Sequence, residues 1–307
     1  MRDDAGWQRW LARADHLPSS GRGWLPALAA QFQWPGKGLP PLAAITRQQQ
    51  AGDAGDGVWL FADLANVQPD LTGARMLACG MLDVTADEAE ALAQPLRPLF
   101  GDRGVLLETT TPPRWHLRLP QGTRLPDFAT PEAVLGDSLI AHLPEGDEGR
   151  RWRALLNEAQ VILHQHPVNN ERRRRGKPFV NSLWFWGAGG NGTLPPWLKC
   201  VAAQAYGDAP LLQALAAQAG VPVQPSAAFD PTATPGEDVL LDLGNASGAA
   251  ATLALLRATL RRRNRLELAF ADGERYRVRR SHRWRFWRGV TPGGSKRAEF
   301  QGAMYDD

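Results

Sequence analysis

The chain has 307 residues, of which 43% are hydrophobic and 22% charged, with a formal net charge of +3. That length can bury a full core as one large domain or two modest ones. No apolar run reaches the roughly eighteen residues of a membrane span, so no membrane partner is expected. The opening MRDDAGWQRW mixes charges and lacks the apolar core of a secretory signal. The two cysteines, Cys79 and Cys200, form neither a disulfide framework nor a CxxC metal spacing, and a cytoplasmic protein with reduced thiols is expected. Charge is uneven along the chain: residues 150–307 hold 23 Lys+Arg against 13 Asp+Glu. Arg outnumbers Lys 31 to 4, a bias typical of GC-rich coding, which weakens any functional meaning of the arginine clusters.

Taken in order, residues 1–50 form an N-terminal segment with one apolar stretch at 24–32 that predicts a helix. Gln48, Gln49, Gln50 and the AGDAGDG run at 51–57 read as a loop. Residues 58–63 (VWLFAD) read as a strand. Thr85 and Glu88 have capping-box spacing, opening a helix that buries Ala89, Leu92, Leu96 and Leu99, with Pro95 ending or kinking it. Residues 104–108 and 115–119 predict two strands joined by a Thr/Pro turn.

Residues 150–166 give the clearest helix, with Trp152, Leu155, Leu156, Ala159, Ile162, Leu163 and His166 on one stripe. Pro167 forbids its continuation. Residues 180–186 predict a strand running into a glycine turn at 187–192. Residues 210–219 predict a helix, with Pro210 at its first position and Gly220 as its stop. After a linker at 230–235, a small βαββ unit follows: strand 239–243, helix 249–262, and strands 266–270 and 276–280 around an Ala271-Asp272-Gly273 turn. Residues 282–288 predict one more strand. The expected fold is mixed α/β (α+β), with a core at 51–235, the βαββ unit at 236–290 and a loose tail at 291–307.

Four constellations bear on chemistry. His166 ends a helix, and Asn169 and Arg172 follow in what reads as the connecting loop. With Asn181 they can hold a phosphate or carboxylate, the guanidinium giving bidentate geometry. In the competing reading, His166 and Asn169 lock the loop by bonding buried backbone groups. Gly187 and Gly189 can cradle an anion with backbone amides, although a tight turn packing Trp184 and Trp186 fits them better, and no dinucleotide or P-loop pattern is present. His164 and His166 lie about 200° apart on a helix and cannot grip one metal. The other histidines, His16, His116, His142 and His282, lack ligand spacing. The basic runs at 172–175, 261–265 and 275–288, interleaved with Trp284, Phe286 and Trp287, have the composition of single-strand binders. An Arg-covered sheet face is the plainer reading, so nucleic acid is not the expected partner.

The spacing His166-Pro167-Val168-Asn169, Arg172, Gly176, Asn181 and residues 184–189 resembles the archaeal-type, cofactor-independent phosphoglycerate mutases. It also resembles a shorter bacterial group, the RpfE-type regulatory proteins, which shares further features at residues 59–63, Pro69-Asp70, Arg114-Trp115 and residues 149–152. The resemblance covers roughly residues 55–200. It implies kinship with the alkaline phosphatase superfamily, whose mutases use two divalent metals held by Asp and His and a nucleophilic Ser. The chain departs from that pattern: no Asp-Gly followed by Asp and Ser opens it, and after His166 only His282 remains. The expectation is therefore a non-catalytic regulatory protein without a cofactor, with no catalytic residue and no metal site. An anionic metabolite would bind at His166, Asn169, Arg172, Asn181, Gly187 and Gly189. The alternative is a mutase-like phosphotransferase carrying Mn or Zn, and a second alternative is nucleic-acid binding through the basic C-terminal half. No protein partner can be named.

Overall fold

The computed structural model describes residues 4–70, 73–232, 237–244 and 248–285. The expected tail, residues 286–288 and residues 233–235 of the expected linker lie outside these. Helix α1 (Ala5–Leu11) is capped by Asp4, whose carboxylate accepts from the Gly6 and Trp7 amides. Strand β1 (Asp15–Leu17) follows. A six-residue helix, Trp24–Ala29, and a two-residue strand, Phe32–Gln33, stand where one helix over 24–32 was expected. Helix α2 (Leu42–Ala51) takes in Gln48, Gln49 and Gln50, correcting their assignment to a loop. Its first half is fully buried, and that packing carries the helix on to Gly52, whose left-handed backbone ends it.

Strand β2 (Val58–Asp70) is twice the expected length and organises the main sheet. Strand β3 (Gly73–Cys79) pairs with residues 65–70 of β2. The capping box at Thr85 and Glu88 forms as expected and opens helix α3 (Ala86–Ala93). Pro95 separates α3 from helix α4 (Leu96–Gly101). Strands β4 (Leu106–Thr111) and β5 (Arg114–Leu119) form a hairpin whose second strand pairs with residues 58–63 of β2. Helices α5 (Gly146–His164) and α6 (Pro167–Arg174) lead to strand β6 (Ser182–Trp186), paired with residues 61–65 of β2. All pairings in this sheet are antiparallel.

The alternation of β2 divides the core, because successive side chains point to opposite faces. Leu60, Ala62 and Leu64 pack with Leu92, Phe100, Leu155 and Leu163 of the helices α3, α4 and α5. Trp59, Phe61 and Ala65 pack on the other face with α2 and with helix α7 (Pro210–Gln218). Asp63 lies on this second face by parity and is 0% exposed. Its carboxylate accepts from Arg114 Nε at 2.8 Å, Arg114 Nη2 at 2.9 Å and Trp186 Nε1 at 2.9 Å. The Arg114 guanidinium also lies 4.8 Å from the Phe61 ring centroid and 5.0 Å from that of Trp186. A buried charge persists only with such pairing.

Strand β7 (Gln204–Tyr206) pairs in parallel with Val223–Gln224 and with strand β8 (Val239–Leu241). The first strand of the expected βαββ unit thus pairs beside the main core. The rest, helix α8 (Ala249–Arg263) and strands β9 (Arg265–Ala269) and β10 (Arg275–Arg279), forms as expected and recruits the N-terminal segment. β1 pairs with β10, and Trp7 and Leu11 pack on Leu253 and Leu256. The strand expected at 282–288 is corrected: Arg280–Trp284 is a 3₁₀ helix in which His282 is buried. The mixed α/β fold expected from the sequence is the fold observed.

Removing one partner of a buried ion pair strands the other. Arg114→Ala is expected to cost about 3–5 kcal/mol, read as a lower urea midpoint at unchanged m-value.

Candidate functional site

His166, Asn169 and Arg172 recur every third residue and so share one face of α6. Asn169 and Arg172 lie on a helix, which corrects their placement in a loop. His166 is its N-cap, with Nδ1 accepting from the Val168 amide at 3.3 Å, and Pro167 takes the first helical position. Half-burial lowers the pKa of His166.

The shared face points inward. Asn169 Nδ2 donates to the carbonyls of Leu163 at 2.8 Å and Val180 at 2.9 Å, and Oδ1 accepts from the Val180 amide at 2.9 Å. Arg172, 0% exposed, donates from Nε to the Pro178 carbonyl at 2.8 Å. Its Nη1 donates to the Asp83 carbonyl at 2.9 Å and to Glu88 Oε2 at 2.8 Å. Its Nη2 is buried without a hydrogen-bond partner. Glu88 serves twice, since the same oxygen accepts the Thr85 amide of the capping box. Asn181 sits apart, bonding both backbone groups of Val67 at 2.7 and 2.8 Å beside the register shift between β2 and β3. Gly187 and Gly189 are also apart from α6. A Cβ on Gly187 would lie 2.4 Å from the Phe61 ring, and one on Gly189 would lie 2.4 Å from the Pro40 backbone. Close packing requires both glycines, and the Gly187 carbonyl accepts from the Ala43 amide. The structure therefore joins His166, Asn169 and Arg172 into one clasp on backbone groups and leaves Asn181, Gly187 and Gly189 outside it.

A second polar cluster, on the α2 side of the sheet, was missed by the sequence reading. Thr46 donates its single hydroxyl hydrogen to the Leu42 carbonyl at 2.8 Å, so it accepts from His116 Nε2 at 3.0 Å. His116 Nδ1 then accepts from Thr110 at 3.2 Å, and Thr110 accepts from Arg47 Nη1 at 3.1 Å. The chain of bonds assigns a neutral Nε2–H imidazole. Burial, followed by the nearby charges of Arg47 and Arg114, lowers its pKa to about 3. Arg47 also pairs with Asp53 and Glu108 beneath an open groove that Arg97 and Thr109 help to line. The available signal was a histidine between Trp115 and Leu117 in the strand at 115–119.

No family model matches the chain. A 59-residue segment is 39% identical to a probable 2,3-bisphosphoglycerate-independent phosphoglycerate mutase of Geobacter sulfurreducens, covering 19% of this chain and 15% of that protein. A 59-residue match to the corresponding mutase of Methanosarcina mazei is 37% identical, with the same coverage. This chain is related in part to the cofactor-independent phosphoglycerate mutases. It spans about 15% of the length of these curated mutases. Among solved structures, the cofactor-independent phosphoglycerate mutase of Thermoplasma acidophilum aligns with a TM-score of 0.33 and 17% identity over 76% of this chain and 67% of that one. The PH0037 protein of Pyrococcus horikoshii aligns at 0.35 and 15%, over 76% and 60%.

Among the described residues, no group of three His, Cys, Asp or Glu side chains is placed to hold a metal ion. Asp63, the fully buried acid, is already engaged by Arg114 and Trp186.

His116 titrates near 6.5 when unfolded and near 3 when folded, so between these values the unfolded chain binds the extra proton. Its contribution is whole above about pH 6.5 and is lost as pH falls toward 3. Lowering the pH from 7 to 5 should cost about 2 kcal/mol from this group alone. Urea titrations at the two values should show a smaller drop for His116→Gln than for the parent.

Proposed function

We propose that this chain is a non-catalytic regulatory or binding protein of the RpfE type, using a mutase-related segment as scaffold. The observation that carries this reading is the engagement of Asn169, and of Nε and Nη1 of Arg172, with internal partners. A catalytic group must meet substrate, and these groups meet the Leu163, Val180, Pro178 and Asp83 backbone instead. An anionic metabolite remains the proposed ligand class. It would reach Arg172 by exchanging with Glu88, whose carboxylate makes the one ionic contact on that guanidinium among the described residues. The exchange would also release the capping box of α3.

Two measurements on the purified chain test this. With 3-phosphoglycerate as substrate, no 2-phosphoglycerate is expected in EDTA or with Mn²⁺ or Zn²⁺, and metal-dependent turnover would contradict the non-catalytic reading. In EDTA, 3-phosphoglycerate at a hundred times its Kd should add about 2.7 kcal/mol and raise Tm. A Tm unmoved with and without metal removes the metabolite from the proposal.

A further inference from the structure

Helix α8 ends at Asn264, whose left-handed backbone (φ 61°) turns the chain directly into β9. That turn gathers arginines distant in sequence. Arg265 stands opposite Arg279 in the β9–β10 ladder. The Arg280 amide donates to the Asn264 carbonyl at 2.9 Å, and its guanidinium lies 3.5 Å from the Arg261 carbonyl. Arg261, Arg262, Arg265, Arg279, Arg280 and Arg283 thus surround one corner, and all six are exposed.

The charge there is poorly compensated. Residues 248–285 carry eleven arginines against three acids. Glu267 faces Arg275 and Arg277, and Asp238 approaches Arg265 only to 3.9 Å. Among the described residues, Arg261, Arg262, Arg279 and Arg283 have no acidic partner. The helix C-terminus offsets about half a charge. Like charges directly opposite on adjacent strands, as at Arg265 and Arg279, are destabilising. Codon bias accounts for arginine over lysine but not for this convergence. At the same corner Trp284 is 63% exposed, with the Arg283 guanidinium 4.8 Å from its ring centroid.

We propose that this corner binds single-stranded nucleic acid, with the arginines on phosphates and a base stacked on Trp284. Arginine forks match phosphate geometry, and aromatic stacking accepts any base. An acidic peptide would satisfy the charge and leave the exposed indole without a role, which favours a strand of bases.

The test is fluorescence anisotropy of the full chain with a labelled twenty-nucleotide oligo(dT). Four neutralised phosphates predict an affinity about 50-fold weaker at 200 mM than at 50 mM NaCl. Trp284→Ala should weaken binding about ten-fold at unchanged salt slope. Arg279→Gln with Arg280→Gln should roughly halve that slope. Melting curves matching the parent's would show that these surface variants fold. Absence of binding at 50 mM salt overturns the proposal. So does poly-glutamate binding as tightly as oligo(dT) together with a silent Trp284→Ala, which would assign the corner to acidic proteins.

Discussion

One buried guanidinium ties the middle of this molecule together. Arg172 lies on α6, yet its donors reach Pro178 on the way to β6, the Asp83 carbonyl ahead of α3, and Glu88 within α3. A guanidinium held out of water needs opposite charge and acceptors, and here one carboxylate and two carbonyls meet its Nε and Nη1. Asn169, one turn earlier, fixes the same helix to Leu163 and Val180. Together they set where β6 enters the sheet, and the face of β6 carrying Trp184 and Trp186 depends on that entry.

The main sheet has a matching asymmetry. From Val58 to Leu64 one face of β2 is apolar and packs on α3, α4 and α5. The other carries Asp63, and across from it on β5 come Arg114 and His116. These groups are compatible with a core because each meets a partner: Trp186 and Arg114 on the carboxylate, Thr46 and Thr110 on the imidazole. The relation to the mutases concerns about a fifth of the chain. What the molecule does therefore has to be argued from its own side chains, and the strongest motif among them is turned inward.

Local signals in the sequence were legible and distant partnerships were not. Thr85 and Glu88 announced a helix start because a capping box closes within one turn. Nothing local announced that Glu88 would also meet Arg172, 84 residues away. Pro167 read as the end of one helix, but it equally suits the first turn of another, so α6 passed for a loop. The VWLFAD run gave the strand, but the burial of Asp63 and its pairing with Arg114 needed the sheet register. Gln48, Gln49 and Gln50 read as loop residues because tertiary packing, not their own propensity, extends α2 through them. For the candidate site, the sequence brought His166, Asn169 and Arg172 to one place and left open whether they face a ligand or the chain itself.

That choice is open to direct measurement by native-state hydrogen exchange at the Val180 amide, which precedes β6 and donates to Asn169 Oδ1. If α6 clasps the backbone, this proton exchanges as slowly as those of the central strands, and Asn169→Ala releases it selectively. Exchange at the rate of an exposed loop in the parent protein would show that Asn169 is free, and would contradict the clasp.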